Sequence, residues 1–500
     1  MAKLSSILNS SELESVPNGC AVAYGHFDTI HTGHIRYLRH AKTLGTSLIV
    51  ALQGDSSVPG QNLQFNAYER SDALSLLGIA DYIIILNDID LLSVLRLINP
   101  NVLVLGDQSR LNDFPQELSE YALSNSIDIS FHSGDSSSAS VDLLSANTLD
   151  LDSQRKHQFI QACKRQDIHL SHLLKYVGDL SKARIAVIGD TIVDQFSACE
   201  ALGMSAEAPV IVVKELENKN FIGAAAIVAS HVRSFGASCD LISVVGNDHI
   251  ATFVSDYLAD VGIGNYLVPD SSRPTTFKKR YLVENQKLFR VSRLEDHSID
   301  RKIEDLVKDS LDKVAPQIDA LIISDFVYGV ITPNILTHIY NLHSKYGFQI
   351  FGDVQCSSQV GSILKFKNFT LLSPNEREVR IALQDKDSGI EQLSYDVMAK
   401  TNVNNFVMKL GSSGFISYER SIDNVVKSQP FPALSTNPVD VSGAGDSVLA
   451  VISTALASGI PFMYASALAC CTASLAVETM GNLPVSPESL KSRLTSIFNT

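Results

Sequence analysis

The chain carries no Cys-x-x-Cys pair, and its seven cysteines (Cys20, Cys163, Cys199, Cys239, Cys356, Cys470 and Cys471) are odd in number. Both facts argue against a disulfide framework. With no secretory leader legible at the N-terminus, the cysteines read as reduced, mostly buried thiols of a cytoplasmic protein. Basic charge is scarce too: 40 Lys and Arg stand against 54 Asp and Glu, a net charge of −14. That balance argues against nucleic acid as a partner, because phosphate backbones select basic faces. Nucleotides stay open, since local amides and Mg²⁺ hold them. No stretch is fit to cross a membrane. Asp446 to Glu478 encloses no Asp, Glu, Lys or Arg, yet Gly459 and Pro461 interrupt it, which predicts two core helices. Internal repeats and low-complexity segments are absent as well. What remains is an ordinary globular composition, 45% hydrophobic and 19% charged, in 500 residues, too many for one core.

The most informative stretch is Asp440-Val-Ser-Gly-Ala-Gly-Asp446-Ser447. A Gly-Ala-Gly turn entering an apolar helix leaves backbone N–H groups aimed at one spot, which suits a phosphate or a developing anion. Asp446 follows at once, placed to take a proton from a hydroxyl brought there. An anion cradle beside a base is the minimal apparatus for phosphoryl transfer to an alcohol. The plainer alternative is a glycine-rich loop that caps a buried helix.

A second site stands out in Gly25-His-Phe27-Asp28-Thr-Ile-His31-Thr-Gly33-His34. It follows the apolar run Ala21-Val-Ala-Tyr24 and precedes Ile35, Leu38, Ala41 and Leu44, spaced as one helix face. Two histidines three apart at a strand-to-helix turn can both address a phosphate at the helix N-terminus. Each can donate a hydrogen bond to an anionic oxygen, and Gly33 permits close backbone approach. Zinc would need further ligands at suitable spacing, and none is visible in the sequence.

Residues 1–17 are polar and read as a loose tail. Strands and helices alternate through residues 18–149, fitting a doubly wound parallel sheet with its site at the carboxyl ends of the strands. Over 150–182, charges mix with Phe159, Ile160, Leu170, Leu173, Leu174 and Val177, which predicts linking helices. Arg184-Ile-Ala-Val-Ile-Gly189 then starts the sheet of a second domain, 183–500.

The string Asp440–Asp446 resembles the signature of the ribokinase-like (PfkB) sugar kinases. Further pieces follow that family's order: Ile188-Gly-Asp190-Thr-Ile-Val-Asp194, Ser205-Ala-Glu-Ala-Pro209-Val, Thr275 to Arg293 with Lys279-Arg280 and Asn285-Gln286, Ile323-Ser-Asp325, and Ser373-Pro-Asn375-Glu-Arg-Glu378. Several are similar to the subgroup that phosphorylates heptose phosphates. The resemblance implies Asp446 as catalytic base and Gly443, Ala444 and Gly445 as anion hole. It places Asp190, Asp194 and Gly223 on the sugar, Asn375, Gly411 and Gly414 on the nucleotide, and Glu378 near Mg²⁺.

The region 18–148 resembles the cytidylyltransferase-like nucleotidyltransferases, on Gly25 to His34, Lys42-Thr-Leu-Gly45, Asn66-Ala-Tyr-Glu-Arg70 and the hydroxyl-rich loop Ser136–Ser140. There the resemblance implies His31 and His34 as catalytic groups. It also implies nucleotide contacts from Gly25, Phe27, Asp28, Gly33, Lys42, Arg70 and Ser138. The implied fold is α/β throughout: two doubly wound domains, the first Rossmann-like and the second ribokinase-like.

Together the halves resemble bifunctional heptose-7-phosphate kinase/heptose-1-phosphate adenylyltransferases of lipopolysaccharide precursor synthesis, in which the kinase comes first. Here the order is reversed. The implied function is ATP-dependent phosphorylation of a sugar or sugar phosphate, then NTP-dependent nucleotidyl transfer to the sugar 1-phosphate. ATP and Mg²⁺ are the implied cofactors, with CTP open for the N-terminal domain. The implied partners are small molecules, without nucleic acid or membrane, and a homodimer is left open. Several positions depart from the families. Ile222-Gly223-Ala-Ala-Ala226 lacks an asparagine, Tyr328 stands for a lysine, Asp353-Val-Gln355 for Asp-Pro-Lys, and Gly203 for an arginine; Leu105-Gly106-Asp107 also lacks a lysine. Each lost phosphate contact is a charge-assisted hydrogen bond of about 1.5–3 kcal/mol, so the expectation is a different acceptor or weakened catalysis. Two other readings compete: one active domain only, or a ligand-binding protein without turnover.

Overall fold

The computed structural model describes residues 5–8, 12–13, 16–17, 19–27, 30, 32–55, 65–87, 89–106, 116–132, 148–284, 286–355, 361–421, 425–481 and 483–499. The chain divides into two compact units, 1–147 with 383–396, and 148–382 with 397–500.

The first unit is built on six strands: β1 (Ser6–Leu8), β2 (Ala21–Gly25), β3 (Leu48–Gln53), β4 (Tyr82–Leu86), β5 (Val102–Gly106) and β6 (Asp128–His132). Their spatial order is β1-β4-β3-β2-β5-β6, and every pairing is parallel. Strands covered on both faces read as apolar runs, and Leu48 to Leu52 are fully buried. The order reverses between β2 and β5, so a crevice opens beyond Gly25 and Gly106, where doubly wound folds bind ligands. The helix Ala67–Leu77 is framed by side-chain chemistry: Asn66 and Glu69 form a reciprocal capping box, and Gly78 closes it at φ 62°. The expected loose tail is corrected here. Ser6–Leu8 pairs with β4, and Leu13 is 1% exposed in the unit's core. A three-residue edge strand is too short to leave a periodic signal in the sequence.

The second unit holds a nine-stranded sheet: β7 (Arg184–Gly189), β10 (Ser238–Val245), β11 (Gly264–Pro269), β14 (Ala320–Asp325), β15 (Gln349–Val354), β16 (Leu371–Leu372), β17 (Asn405–Lys409), β18 (Phe415–Arg420) and β19 (Val426–Phe431). The order is β11-β10-β7-β14-β15-β16-β17-β18-β19, parallel as far as β17 and antiparallel beyond it. A separate four-stranded sheet, β13-β12-β8-β9, is made from β8 (Thr191–Met204), β9 (Ile211–Ala224), β12 (Thr276–Val283) and β13 (Gln286–Arg293). Only Asp190 separates β7 from β8, so the two sheets meet at the carboxyl end of β7. Gly189 is required there, because a Cβ would lie 1.9 Å from the Ser324 carbonyl oxygen of β14.

The stretch expected as a linker forms two helices, Thr148–Arg165 and Leu170–Asp179, and both belong to the second unit's core. Phe159, Ala162, Cys163, Leu173 and Val177 are all buried in it, and Phe159 meets Phe431 and Phe498 at centroid distances of 6.4 and 6.2 Å. The uncharged C-terminal stretch forms the helices Ala444–Ala457 and Phe462–Ala476, broken by Gly459 at φ 77°. Among the described residues no helix is long and apolar enough to cross a membrane.

Candidate active site

In the first unit, Gly25 ends β2 and the chain turns before the helix Thr32–Thr43, whose N-terminus opens on the crevice. Phe27 takes φ 51° and is buried, its ring lying 3.0 Å from where a Gly25 Cβ would sit. Any larger residue at 25 would push that ring away. The same ring stands 5.2 Å from the His34 imidazole, centroid to centroid. Phe27 therefore packs between Gly25 and His34. Tyr37 locks the helix to both strands at the switch point: its hydroxyl donates to the Val104 carbonyl at 2.7 Å and accepts from the Tyr24 amide at 3.1 Å.

Arg70 is buried, and its guanidinium is spent on the protein. It donates to the carbonyls of Phe65 and His26 and pairs with Asp55 at 2.7 Å. Asp55 is held below the usual carboxylate range, first by the Ala67 amide and then by Arg70. Arg70 thus fixes the loop after β2 to the end of β3. Lys42 is a correction. It lies in the last turn of its helix, at the opposite end of the sheet, donating to the Ile79 carbonyl at 2.7 Å and meeting Asp81 at 3.2 Å. The helix runs antiparallel to the strands, so its last turn cannot reach the crevice. His31, Asp28 and Ser138 lie outside the described residues, as do Asp107 and Asn285; Gly33 sits in the first turn of the helix.

In the second unit, the helix Ala444–Ala457 begins after Gly443, which takes φ 82° and leads directly into the first turn. Ala444, Gly445 and Asp446 are its first three residues, so their amides have no partner four residues back in the helix. Asp446 is 4% exposed, and burial pushes its carboxyl up to about 7, aided by Asp353 and opposed by Lys409 and Gln355. Gln355 donates to Asp446 Oδ1 at 2.8 Å. Lys409, at the end of β17, meets Asp353 Oδ2 at 2.7 Å. Burial lowers the Lys409 ammonium, but Asp353, Glu378 and Asp446 outweigh it and raise the group above the ordinary lysine value. A Cβ on residue 445 would lie 3.2 Å from Lys409 Nζ, so glycine there leaves room for the cation beside the first turn of the helix.

Lys409 was not singled out from sequence. The available signal was a lysine closing the apolar run Asn405-Phe-Val-Met and followed by the turn Leu410-Gly411-Ser-Ser-Gly414. In that turn Gly411 takes φ 63° and Gly414 φ 93°, and a Cβ on Gly414 would strike the Phe431 carbonyl at 2.1 Å.

Asn375 and Glu378 form a reciprocal capping box on the helix Glu376–Leu383, with the Asn375 amide donating to Glu378 at 2.8 Å and the Glu378 amide to Asn375 at 2.9 Å. The motif thus has a local structural cause. Glu378 is 5% exposed and within electrostatic reach of Lys409.

Asp194 pairs with Arg280 at 2.7 Å, and its other oxygen comes within 3.2 Å of where a Gly223 Cβ would sit. Its charge also bears on Asp446, so the two carboxylates lie within electrostatic reach of one another. Asp190 is engaged by the backbone. Its carboxylate accepts the amides of Phe326 at 2.8 Å and Tyr328 at 3.3 Å, and burial with Asp325 nearby pushes it up to about 7. It braces the turn after β14, where Val327 takes φ 62°, so one of its oxygens serves the fold. Asp440, buried, accepts from Ser442 and pairs with Lys287 at 3.0 Å, tying β13 to the loop before the helix Ala444–Ala457. Among the described residues no three His, Cys, Asp or Glu side chains are grouped as a metal cage. Mg²⁺ with a nucleotide needs only one or two carboxylates beside the phosphates, and Glu378 fits that donor set.

A family model described as pfkB family carbohydrate kinase matches residues 182–488, and one described as cytidylyltransferase-like matches residues 22–173. Similar proteins include the bifunctional protein HldE of Campylobacter jejuni, 30% identical over 318 residues, which are 62% of this chain and 64% of that relative. HldE of Geobacter sulfurreducens is 31% identical over 306 residues, 60% of this chain and 61% of that one. The chain thus spans less than two thirds of the curated relatives it matches. Escherichia coli phosphofructokinase-2, solved with substrates and products, superposes with a TM-score of 0.54 at 14% identity, over 63% of this chain and 99% of that one. At that identity the likeness speaks for the fold. With its matched segment covering more than half the residues and this site at the carboxyl ends of the strands, the chain belongs to the pfkB family of carbohydrate kinases.

Proposed function

We propose that the chain is a bifunctional enzyme of nucleotide-sugar precursor synthesis. The second unit phosphorylates a sugar or sugar phosphate of the heptose 7-phosphate kind. The first transfers a nucleotidyl group from ATP or CTP to the resulting sugar 1-phosphate, as in ADP-heptose formation, in an order opposite to the kinase-first enzymes it resembles. The observation that carries the kinase reading is Asp446, in the first turn of its helix, beside the Lys409–Asp353 pair and the first-turn amides after Gly443.

In that reading the acceptor hydroxyl attacks the γ-phosphorus of ATP, Asp446 takes the hydroxyl proton, and ADP leaves. The amides of Ala444 and Gly445 face the charge that spreads over the transferring phosphoryl group. Asp194, with Arg280 behind it and Gly223 leaving space, orients the acceptor. Asn375, Gly411 and Gly414 shape the nucleotide side. Bound Mg²⁺ would neutralise phosphate charge, and Glu378 would hold it. In the first unit, His31 and His34 would meet the NTP phosphates at the helix N-terminus, on a loop fixed by Phe27 and Arg70.

The test supplies heptose 7-phosphate with ATP–Mg²⁺ and reads ADP release, then supplies heptose 1,7-bisphosphate or a sugar 1-phosphate with ATP or CTP and reads pyrophosphate. Asp446→Asn should remove the first and spare the second. Equal loss of both would sink the two-site reading. A second reading, ligand binding without turnover, draws on Tyr328 and Gln355 standing where the family carries lysines; nucleotide binding without ADP release across a panel of sugars and sugar phosphates would favour it.

A further inference from the structure

We propose that Gln355 is a positioning residue for the phosphoryl-transfer base: its side-chain amide holds the Asp446 carboxylate at the helix N-terminus and favours its charged form. The inference rests on the kinase reading above. Gln355 follows β15 directly, and its own backbone amide donates to the Asp325 carbonyl at 2.8 Å, which fixes where its side chain starts. From there Nε2 reaches Asp446 Oδ1 at 2.8 Å and lies 3.4 Å from Asp353 Oδ2. Both neighbours are carboxylates, and only the NH₂ end of an amide can donate to them, so the two contacts also settle which way the amide is turned.

The groups around Asp446 make this contact consequential. Asp353 on β15 and Asp194 on β8 disfavour its charge, as does burial; Lys409 on β17 favours it. Lys409 is itself shared, meeting Asp353 directly and feeling Glu378 from the helix Glu376–Leu383. On β14, Asp325 is engaged by Lys365. Gln355 is therefore a neutral donor on the base among charged neighbours. A lysine at 355, as the kinase family carries, would add a full charge beside Asp446 and hold it ionised to lower pH. An amide leaves the carboxyl able to take a proton near neutrality, where a general base works best.

The experiment uses the full chain in three variants. Gln355→Lys should lower the pH at which Asp446 ionises by about one unit or more, while Gln355→Leu should raise it by about one unit, since a hydrogen bond to a charged group is of that size. Gln355→Glu, nearly isosteric, should also raise it. Ionisation is read by ¹³C NMR titration of carboxyl-labelled aspartate, with the Asp446 signal assigned by its loss in Asp446→Asn. The acid limb of kcat for ADP release with heptose 7-phosphate should move in step. Opposite shifts for Lys and Leu cannot come from damage to the fold. Unchanged titrations in all three variants, or shifts of one sign, would overturn the proposal. Absence of ADP release from the wild type at every pH would refute the kinase reading instead, and the NMR titration would still decide on Gln355.

Discussion

Replacing Lys409 with methionine separates electrostatics from packing at this site. The methionine keeps most of the aliphatic stem and removes the ammonium. Lys409 Nζ lies 2.7 Å from Asp353 Oδ2 in a side chain only 13% exposed, with Asp446 and Glu378 also in reach. Deleting one partner of a buried pair leaves the other charge uncompensated, a loss of about 3–5 kcal/mol. The loss should depend on pH in a definite direction. Asp446 has a folded value near 7, above its ordinary value, so its ionisation opposes folding as pH rises from about 4 to 7, and the whole opposition is present above that. Lys409 is shifted upward, so its contribution is intact throughout that range in the wild type. Without it, Asp446 can recover by binding a proton, and only at lower pH. Urea unfolding followed by far-UV circular dichroism should show the full loss at pH 8.5 and a loss smaller by about 1.4 kcal/mol or more at pH 5.5, one unit of carboxyl shift. Equal losses at the two pH values would refute the reasoning.

Asp446→Asn should lower kcat for ADP release by about 10²–10⁴-fold, the usual share of a general base, with thermal stability kept or raised because a buried charge is gone. Gly414→Ala, which sets a Cβ against the Phe431 carbonyl at φ 93°, should destabilise the second unit by more than about 1 kcal/mol, read as an earlier urea midpoint. Phe159→Ala should lose about 3–5 kcal/mol of that unit's stability, because its helix belongs to the core and does not merely link. Lys42→Met should leave pyrophosphate release from a sugar 1-phosphate unchanged and shift stability by less than about 1 kcal/mol, as a half-exposed ion pair would.

Local signals carried much of the architecture. The Gly-Ala-Gly-Asp446 turn at a helix start, the strand-to-helix turn after Gly25 and the break at Gly459 are each written in a few adjacent residues, and each was legible. Helix caps are equally local, and the Asn375–Glu378 pair shows that one spacing can serve a reciprocal cap as well as the chemistry the resemblance implies. What sequence could not give was direction. Asp190 and Asp194 are four apart and look alike on paper, but the amides of Phe326 and Tyr328 claim the first, and only the fold brings them there. Lys42 and Gly33 lie on one short helix, yet its length carries Lys42 to the far end of the sheet. Lys409 and Gln355 are 54 positions apart in sequence and meet only around Asp353, because β15 and β17 end on the same side of one sheet.

The missing cations take on a different meaning in the same way. Tyr328 stands where the kinase family has a lysine, and from sequence that substitution reads as a lost phosphate contact. In the structure the Lys278 ammonium lies 5.2 Å from the Tyr328 ring centre and 5.8 Å from that of Phe326. Lys278 is 4% exposed and has no carboxylate partner among the described residues. A buried ammonium resting on two aromatic faces is stabilised by their quadrupoles without being neutralised. Arg280 and Lys287, one pairing with Asp194 and the other with Asp440, stand at 5.6 and 5.7 Å on the ring of Phe196. Positive charge on this side of the unit is therefore carried by strands β12 and β13. Counting substitutions along the chain registers the change at 328 and misses the cation that β12 sets against the same ring, because a β-sheet brings side chains together by register across strands.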